Sequence, residues 1–194
     1  MVTNAENDVP IIAKLALSHY QFESLHPYTD GNGRLGRLVA ILQLMQDGIL
    51  RLPVLNLSPW LEAHRTEYID GLLRVSTSGD FSEWVTFFAR AVKIQADNGV
   101  ETISHLIAFR DETKQTLRAA GVRGIALDIA ENLIGFPALD VQVARKMTGK
   151  SFEAANQAIN RLVEQGILRE ITGRKSNRLF VCQRVAAIIN SQPF

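Results

Sequence analysis

The sequence predicts a mainly α-helical protein in two parts, a helical bundle over residues 1–121 and a small helix–helix–helix–ribbon part over 122–194. Three observations carry this expectation. Apolar residues recur at helical spacing through most of the chain. Strand-like runs occur only near the C-terminal end, at Ile167–Ile171 and Arg178–Gln183. Between the two parts, Gly121 through Gly124 reads as a hinge, after which the elements become shorter.

The first helix is predicted from Pro10 to about Ser24. Proline suits a helix start, and Ile11, Ile12, Leu15, Phe22 and Leu25 recur at roughly helical intervals. It stops before His26-Pro27, because a residue preceding proline is pushed out of the helical region. A loop dense in turn formers runs from Pro27 to Gly33. A second helix follows from Arg34 to about Asp47, with Leu35, Leu38, Val39, Leu42 and Met45 as its expected core stripe and Gly48 as its stop. Beyond the Pro53–Pro59 connection, helices are predicted over about 60–77, 81–95 and 97–120. Asp80 is the expected N-cap of the second of these, with Glu83 three residues on at capping-box spacing.

After the hinge, Ile125–Ile134, Asp140–Thr148 and Phe152–Gln165 read as three helices. Ile167–Ile171 and Arg178–Gln183 then pair across the turn Thr172–Asn177. That order is the order of a winged helix-turn-helix domain.

Bulk properties exclude several classes. With 46% apolar and 21% charged residues the chain has an ordinary globular composition, not a disordered or fibrous one. One cysteine, Cys182, rules out an internal disulfide framework and is expected as a small buried side chain in a strand. The polar opening MVTNAENDVP has no signal-peptide core, and no apolar run approaches membrane-spanning length, so the cytoplasm is the expected compartment. Charge is uneven: 1–121 hold 11 Lys/Arg against 14 Asp/Glu, whereas 122–194 hold 10 against 6. The basic balance of the second part hints at a polyanion contact, although an ordinary solvated surface would show the same.

The chemistry concentrates in His26 to Arg37. Gly31-Asn32-Gly33 can adopt positive backbone angles and expose successive N–H groups directly ahead of a helix, whose N-terminus already favours anions. Arg34 and Arg37 lie three apart, so both are expected on one face near that end. Asp30 offers the carboxylate that a phosphate-bridged Mg²⁺ commonly needs. His26 has the imidazole suited to general-base work. Asp-Gly-Asn-Gly alone is a good hairpin turn, but the helical flanks argue against a hairpin.

The stretch His26-Pro27-Tyr28-Thr29-Asp30-Gly31-Asn32-Gly33-Arg34-Leu35-Gly36-Arg37 resembles the signature of Fic-domain proteins, His-Pro-Phe-x-Asp/Glu-Gly-Asn-Gly-Arg-x-x-Arg. The lead-in Leu17–Glu23, the stretch from Glu67-Tyr68 to Trp84, and the segment around Phe109-Arg110-Asp111 are also similar to that family. The resemblance implies a Fic-type helical bundle, with a winged helix behind it, that transfers AMP from ATP to a Ser, Thr or Tyr hydroxyl of a target protein. By position it implies His26 as base and Asp30 as the Mg²⁺ ligand. It further implies Gly31, Asn32 and Gly33 as the anion hole, and Arg34 and Arg37 on the β- and γ-phosphate regions. Tyr68 is a weaker candidate for the adenine pocket, with core packing as its alternative.

Two departures stand out. Tyr28 replaces a phenylalanine that normally anchors the loop in the core. Only nine residues precede Pro10, too few for the target-docking flap or the inhibitory Ser/Thr-x-x-x-Glu-Gly/Asn helix of the family. The chain is therefore expected to be either a fragment or a protein regulated by another route, and to bind ATP but select and modify targets poorly.

In the winged part, Phe152–Gln165 would be the recognition helix. Asn156, Asn160 and Arg161, with Arg174, Lys175 and Arg178 of the wing, are the candidate DNA contacts. Packing on the helical core or assembly of a homodimer is the alternative use of the same surface. His19, His64 and His105 lack metal-ligand spacing and are expected to pack or lie on the surface. Two further functions stay open. The same fold could transfer phosphate or remove AMP, or the chain could be a non-catalytic regulator acting through its winged helix.

Overall fold

The computed structural model describes residues Val9–Asn190, so most of the polar opening segment lies outside the described residues. The fold is mainly α, with elements in the order α1 (Ile11–Leu25), α2 (Asn32–Gln46), α3 (Ser58–Ala63), α4 (Arg65–Ser78), α5 (Ser82–Ala119), α6 (Ile125–Asn132), β1 (Ala138–Leu139), α7 (Val141–Thr148), α8 (Phe152–Glu164), β2 (Arg169–Glu170), β3 (Phe180–Val181) and α9 (Gln183–Asn190). No helix among the described residues is long and apolar enough to cross a membrane. Two compact units divide between Val100 and Glu101, inside α5. The division falls there because Phe109 and Leu117 belong to the second unit's apolar cluster, whereas Trp84, Phe87, Phe88 and Ala91 belong to the first's.

In the first unit α1 and α2 meet along a seam that mixes small, polar and aliphatic side chains. α1 buries Leu15, Ala16 and His19, and α2 buries Asn32, Gly36, Ala40, Ile41 and Leu44. This corrects the predicted α2 stripe. Leu35, Leu38 and Leu42 are 36%, 47% and 52% exposed, and the seam is formed by the face carrying Gly36 and Ala40 instead. A Cβ at Gly36 would stand 3.1 Å from His19 Cε1, so only glycine lets α1 approach this closely. Trp84 of α5 donates its indole N–H to the Ala16 carbonyl at 2.7 Å, tying α5 to the same seam.

Two other helix boundaries differ from expectation. The predicted helix over 60–77 is broken at His64, whose ring Nδ1 lies 2.9 Å from the Trp60 carbonyl and whose ring stacks on that indole. The predicted break near residue 96 is absent: α5 runs unbroken through Asp97-Asn98-Gly99, with no proline to interrupt it. Asp80 accepts from the Ser82 N–H as expected, but Glu83 pairs with Arg74 rather than closing a capping box.

The second unit packs α6, α7 and α8 around Ile129, Leu133, Ala144, Ile159 and Leu162. Its three-stranded antiparallel sheet has the order β1–β3–β2, with Leu139 and Glu170 both opposite Phe180. β1 and α9 were not expected, and the β2–β3 ladder is shorter than its sequence runs. Glu170 shortens it by turning its carboxylate onto the N–H groups of Thr172 and Gly173 at 2.8 and 2.9 Å, which starts the turn early. Asp140 and Ser151 cap α7 and α8 by accepting from Val143 and Ala154. Cys182 is buried as anticipated, one residue past β3, and burial raises its thiol pKa.

Candidate functional site

His26 sits at the C-cap of α1 with φ 42° and ψ 56°, a left-handed conformation rare for a side-chain-bearing residue. This turn ends the helix and starts the loop. Gly31, at φ 84°, ends the loop and starts α2 with no side-chain cap. Asn32 and Gly33, read from sequence as loop, form the first turn of α2. Their N–H groups are among the four at a helix start that lack intrahelical acceptors.

The Asn32 side chain has a different task from its backbone. It is 2% exposed, accepts from the Tyr28 N–H at 3.0 Å and donates to the Tyr28 carbonyl at 2.6 Å. This two-point clamp holds the loop. Tyr28 is 55% exposed, which corrects the expectation of a side chain anchored in the core. Anchoring passes through the Tyr28 backbone, so the ring is free of that duty.

Arg34 and Arg37 occupy unlike surroundings. Arg34 is exposed and lies 3.4 Å from the Asp30 carboxylate. Arg37 is half-buried and folds back so that its Nη1 lies 3.3 Å from where a Gly33 Cβ would stand. Two side chains of α1 lie behind it, His19 and Glu23, which sequence reasoning did not select as site residues. His19 is buried, with Nε2 3.0 Å from the Tyr68 hydroxyl and 4.0 Å from Glu23 Oε1. Burial lowers its pKa to about 4, with Arg37 adding to the fall and the Gly36 backbone opposing it. Burial raises the Glu23 pKa, against the opposing pull of Arg37 and then His26. The available signal was the i, i+4 spacing of His19 and Glu23, on a helix face opposite two glycines three apart.

Tyr68 is packed among His19, Trp84 and Phe87, and burial pushes its phenol well above the ordinary value. In the second unit, Arg178 donates to Asn156 Oδ1 at 2.8 Å and to Asn160 Oδ1 at 3.4 Å, and lies over the Phe180 ring. Arg174 and Lys175 are exposed on the turn beside them. Arg161 stands apart, lining a separate cavity with Arg123 and Gly124. Of the six candidate DNA contacts, Asn156, Asn160 and Arg178 are thus joined in one cluster.

A model of the Fic/DOC family matches residues 1–44. That segment is similar to the Fic/DOC family. The chain is 33% identical over 60 residues to a probable protein adenylyltransferase of Aquifex aeolicus, a match covering 31% of this chain and 19% of that protein. It is 38% identical over 74 residues to the protein adenylyltransferase Fic of Aedes aegypti, covering 38% of this chain and 13% of the relative. A protein adenylyltransferase of Caenorhabditis elegans is 36% identical over 81 residues, covering 41% and 14% respectively. The chain therefore spans between 13% and 19% of the length of these relatives.

All of His26, Asp30, Gly31, Asn32, Gly33, Arg34 and Arg37 fall within the Fic/DOC segment, whereas Tyr68 and the second-unit residues fall outside it. The donor set there suits a magnesium ion only in one form. No group of three or more His, Cys, Asp or Glu among the described residues could hold a metal by itself. Asp30 presents a 92% exposed carboxylate paired loosely with one arginine. One open carboxylate beside a helix N-terminus fits a cation that takes its remaining ligands from water and phosphate oxygens.

Proposed function

We propose that this chain transfers AMP from ATP to a Ser, Thr or Tyr hydroxyl of a target protein. The observation that carries this reading is the uncapped N-terminus of α2, entered through Gly31, with His26 and Asp30 on the loop that leads into it. The names of the matched relatives agree with it.

The N–H groups of Gly31, Asn32 and Gly33 would receive phosphate oxygens, aided by the dipole of α2. Arg34 would pair with the β-phosphate region and Arg37 with the γ-phosphate, fixing which phosphorus faces the acceptor. His26 would take the proton of the target hydroxyl as that oxygen bonds to the α-phosphorus. The bond from the α-phosphorus to the bridging oxygen breaks, and pyrophosphate leaves. Asp30 would hold Mg²⁺, which supplies neutralisation of phosphate charge. Positioning and charge neutralisation dominate such a site.

Incubation with α-labelled ATP and cell lysate tests this. Label is expected in a protein band with the intact chain and is expected to fall by about 10²–10⁴-fold in His26→Ala, the usual worth of a general base. Label from γ-labelled ATP instead would move the assignment to phosphate transfer. No label from either would remove transfer altogether.

A second activity is favoured by one feature of the residues 122–194. Arg178 is held against Asn156 and Asn160 of α8 while Arg174 and Lys175 stand exposed beside them, around a cavity of about 200 Å³ that Asn156, Lys175 and Arg178 line. DNA contact by a winged helix is the corresponding proposal. A mobility shift lost in Arg174→Ala/Lys175→Ala, and weakened by salt, would support it.

A further inference from the structure

We propose that Glu23 is a positioning residue of the transfer site, its carboxylate seated beneath the first turn of α2, where it orients Arg37; this rests on the nucleotide-transfer reading above. The Glu23 side chain is 9% exposed, and its Oε1 is buried without a hydrogen-bond partner. That atom lies 2.5 Å from where a Gly36 Cβ would stand and 4.0 Å from where a Gly33 Cβ would stand. Arg37 Nη1 lies 3.3 Å from the same Gly33 point. Two glycines of the loop–helix junction thus leave room for one carboxylate oxygen, and the Arg37 guanidinium approaches the same Gly33 point.

The groups facing Glu23 are His19 on its own helix, His26 at that helix's end, Arg37 on α2 and Tyr68 on α4. Arg37 is the cation that most opposes the cost of burying the charge. A buried carboxylate kept only for packing is normally hydrogen-bonded, and this oxygen is not. No hydrogen bond joins Glu23 to Arg37 among the described residues. The carboxylate therefore draws the guanidinium over Gly33 while leaving its N–H donors open for phosphate oxygens. A long arginine with no such anchor would sample many rotamers, and ordering it would weaken ATP binding.

Glu23→Gln keeps the shape and removes the charge. Calorimetry with magnesium ATP is expected to show affinity reduced about tenfold, as when one charge-assisted contact is lost. Transfer of α-label is expected to fall with it. Thermal stability at pH 7 is expected to stay or rise, because the ionised carboxylate is the costly form in the fold. Glu23→Asp, one methylene shorter, is expected to recover part of the affinity. Unchanged affinity in Glu23→Gln, or a loss of stability in parallel with the loss of binding, would overturn the proposal, the latter by marking Glu23 as a packing residue.

A third arm separates this proposal from the one it rests on. In nucleotide-free protein, the ¹⁵N guanidinium resonance of Arg37 is expected to move in Glu23→Gln while that of Arg34 stays. A stationary Arg37 resonance would overturn the positioning role even where the intact chain binds ATP. An intact chain that binds no ATP, yet shows the Arg37 shift, would remove the transfer function and leave the anchor standing.

Discussion

The two units solve the same packing problem with opposite materials. The second packs mainly Leu, Ile, Val and Ala, with Phe109 and Phe180, around Ile159 and Leu162, and has side-chain caps on α7 and α8. The α1–α2 half of the first unit buries His19 and Asn32 at its seam, leaves buried atoms of His19 and Glu23 without hydrogen bonds, and turns Leu35, Leu38 and Leu42 outward. Polar groups buried without partners cost free energy, so such a seam is not what stability alone would select. Each unit has its own apolar core, and the candidate chemistry lies at the polar seam of the first.

The largest test of that contrast compares two aliphatic truncations. Ile159 is fully buried, and Ile159→Ala is expected to cost about 2–5 kcal/mol through lost burial and the cavity left behind. Leu38 is 47% exposed, and Leu38→Ala is expected to change stability by no more than about 0.5 kcal/mol. Native-state hydrogen exchange at α8 and α2 amides reads the two units separately. Comparable losses at both positions would break the contrast, by showing the outer face of α2 to be covered in solution.

A second test uses acid. His19 is buried with its pKa lowered to about 4, from the ordinary histidine value of 6.5. Between those values the unfolded chain binds a proton that the folded chain refuses, so stability falls as pH drops from about 6.5 toward 4. The loss is of order 3 kcal/mol at the lower end. Glu23 acts in the other sense, since its raised folded pKa makes the native state take a proton before the unfolded one as the pH nears the carboxylate range. The only two tryptophans, Trp60 and Trp84, are buried in the first unit, and Trp84 stacks with the His19 ring. Urea midpoints followed by tryptophan fluorescence at pH 7, 6 and 5 should therefore decline, and His19→Gln should flatten the decline. A flat profile in the intact chain would place the His19 ring in contact with water.

The loop was legible from sequence because its information is local. Gly31 must take a positive φ, a helix must follow, and twelve consecutive residues carry the donors and the base. What lies behind the loop was not legible. Glu23 and His19 matter through Gly33 and Gly36, and that meeting exists only once α1 and α2 cross. The same crossing explains the mistaken α2 stripe: leucine outnumbers glycine and alanine in any apolar count, yet a close helix approach selects the small residues. In the second unit, α7 and α8 were legible as helices, while their caps Asp140 and Ser151 were not read, and the two-residue β1 has no periodicity to read. Its pairing with β3 is decided by Leu139 reaching the core opposite Phe180.

Capping gives the smallest effect and the sharpest form of the contrast. Asp140 accepts from the Val143 N–H at 2.8 Å, and Asp140→Ala is expected to lower stability by about 1 kcal/mol. At the start of α2 the equivalent donors have no side chain to accept from them, because Gly31 has none. A cap and a bound phosphate are alternative partners for the same N–H groups, so α2, unlike α7, has donors left to gain stability from nucleotide. Saturating magnesium ATP is expected to raise the tryptophan-detected midpoint of the first unit, by an amount that grows with ligand concentration relative to its Kd. It is not expected to restore the exchange protection that Asp140→Ala removes from α7. Restoration there, with no change in the tryptophan signal, would put the nucleotide on the second unit and overturn the assignment of the site to the start of α2.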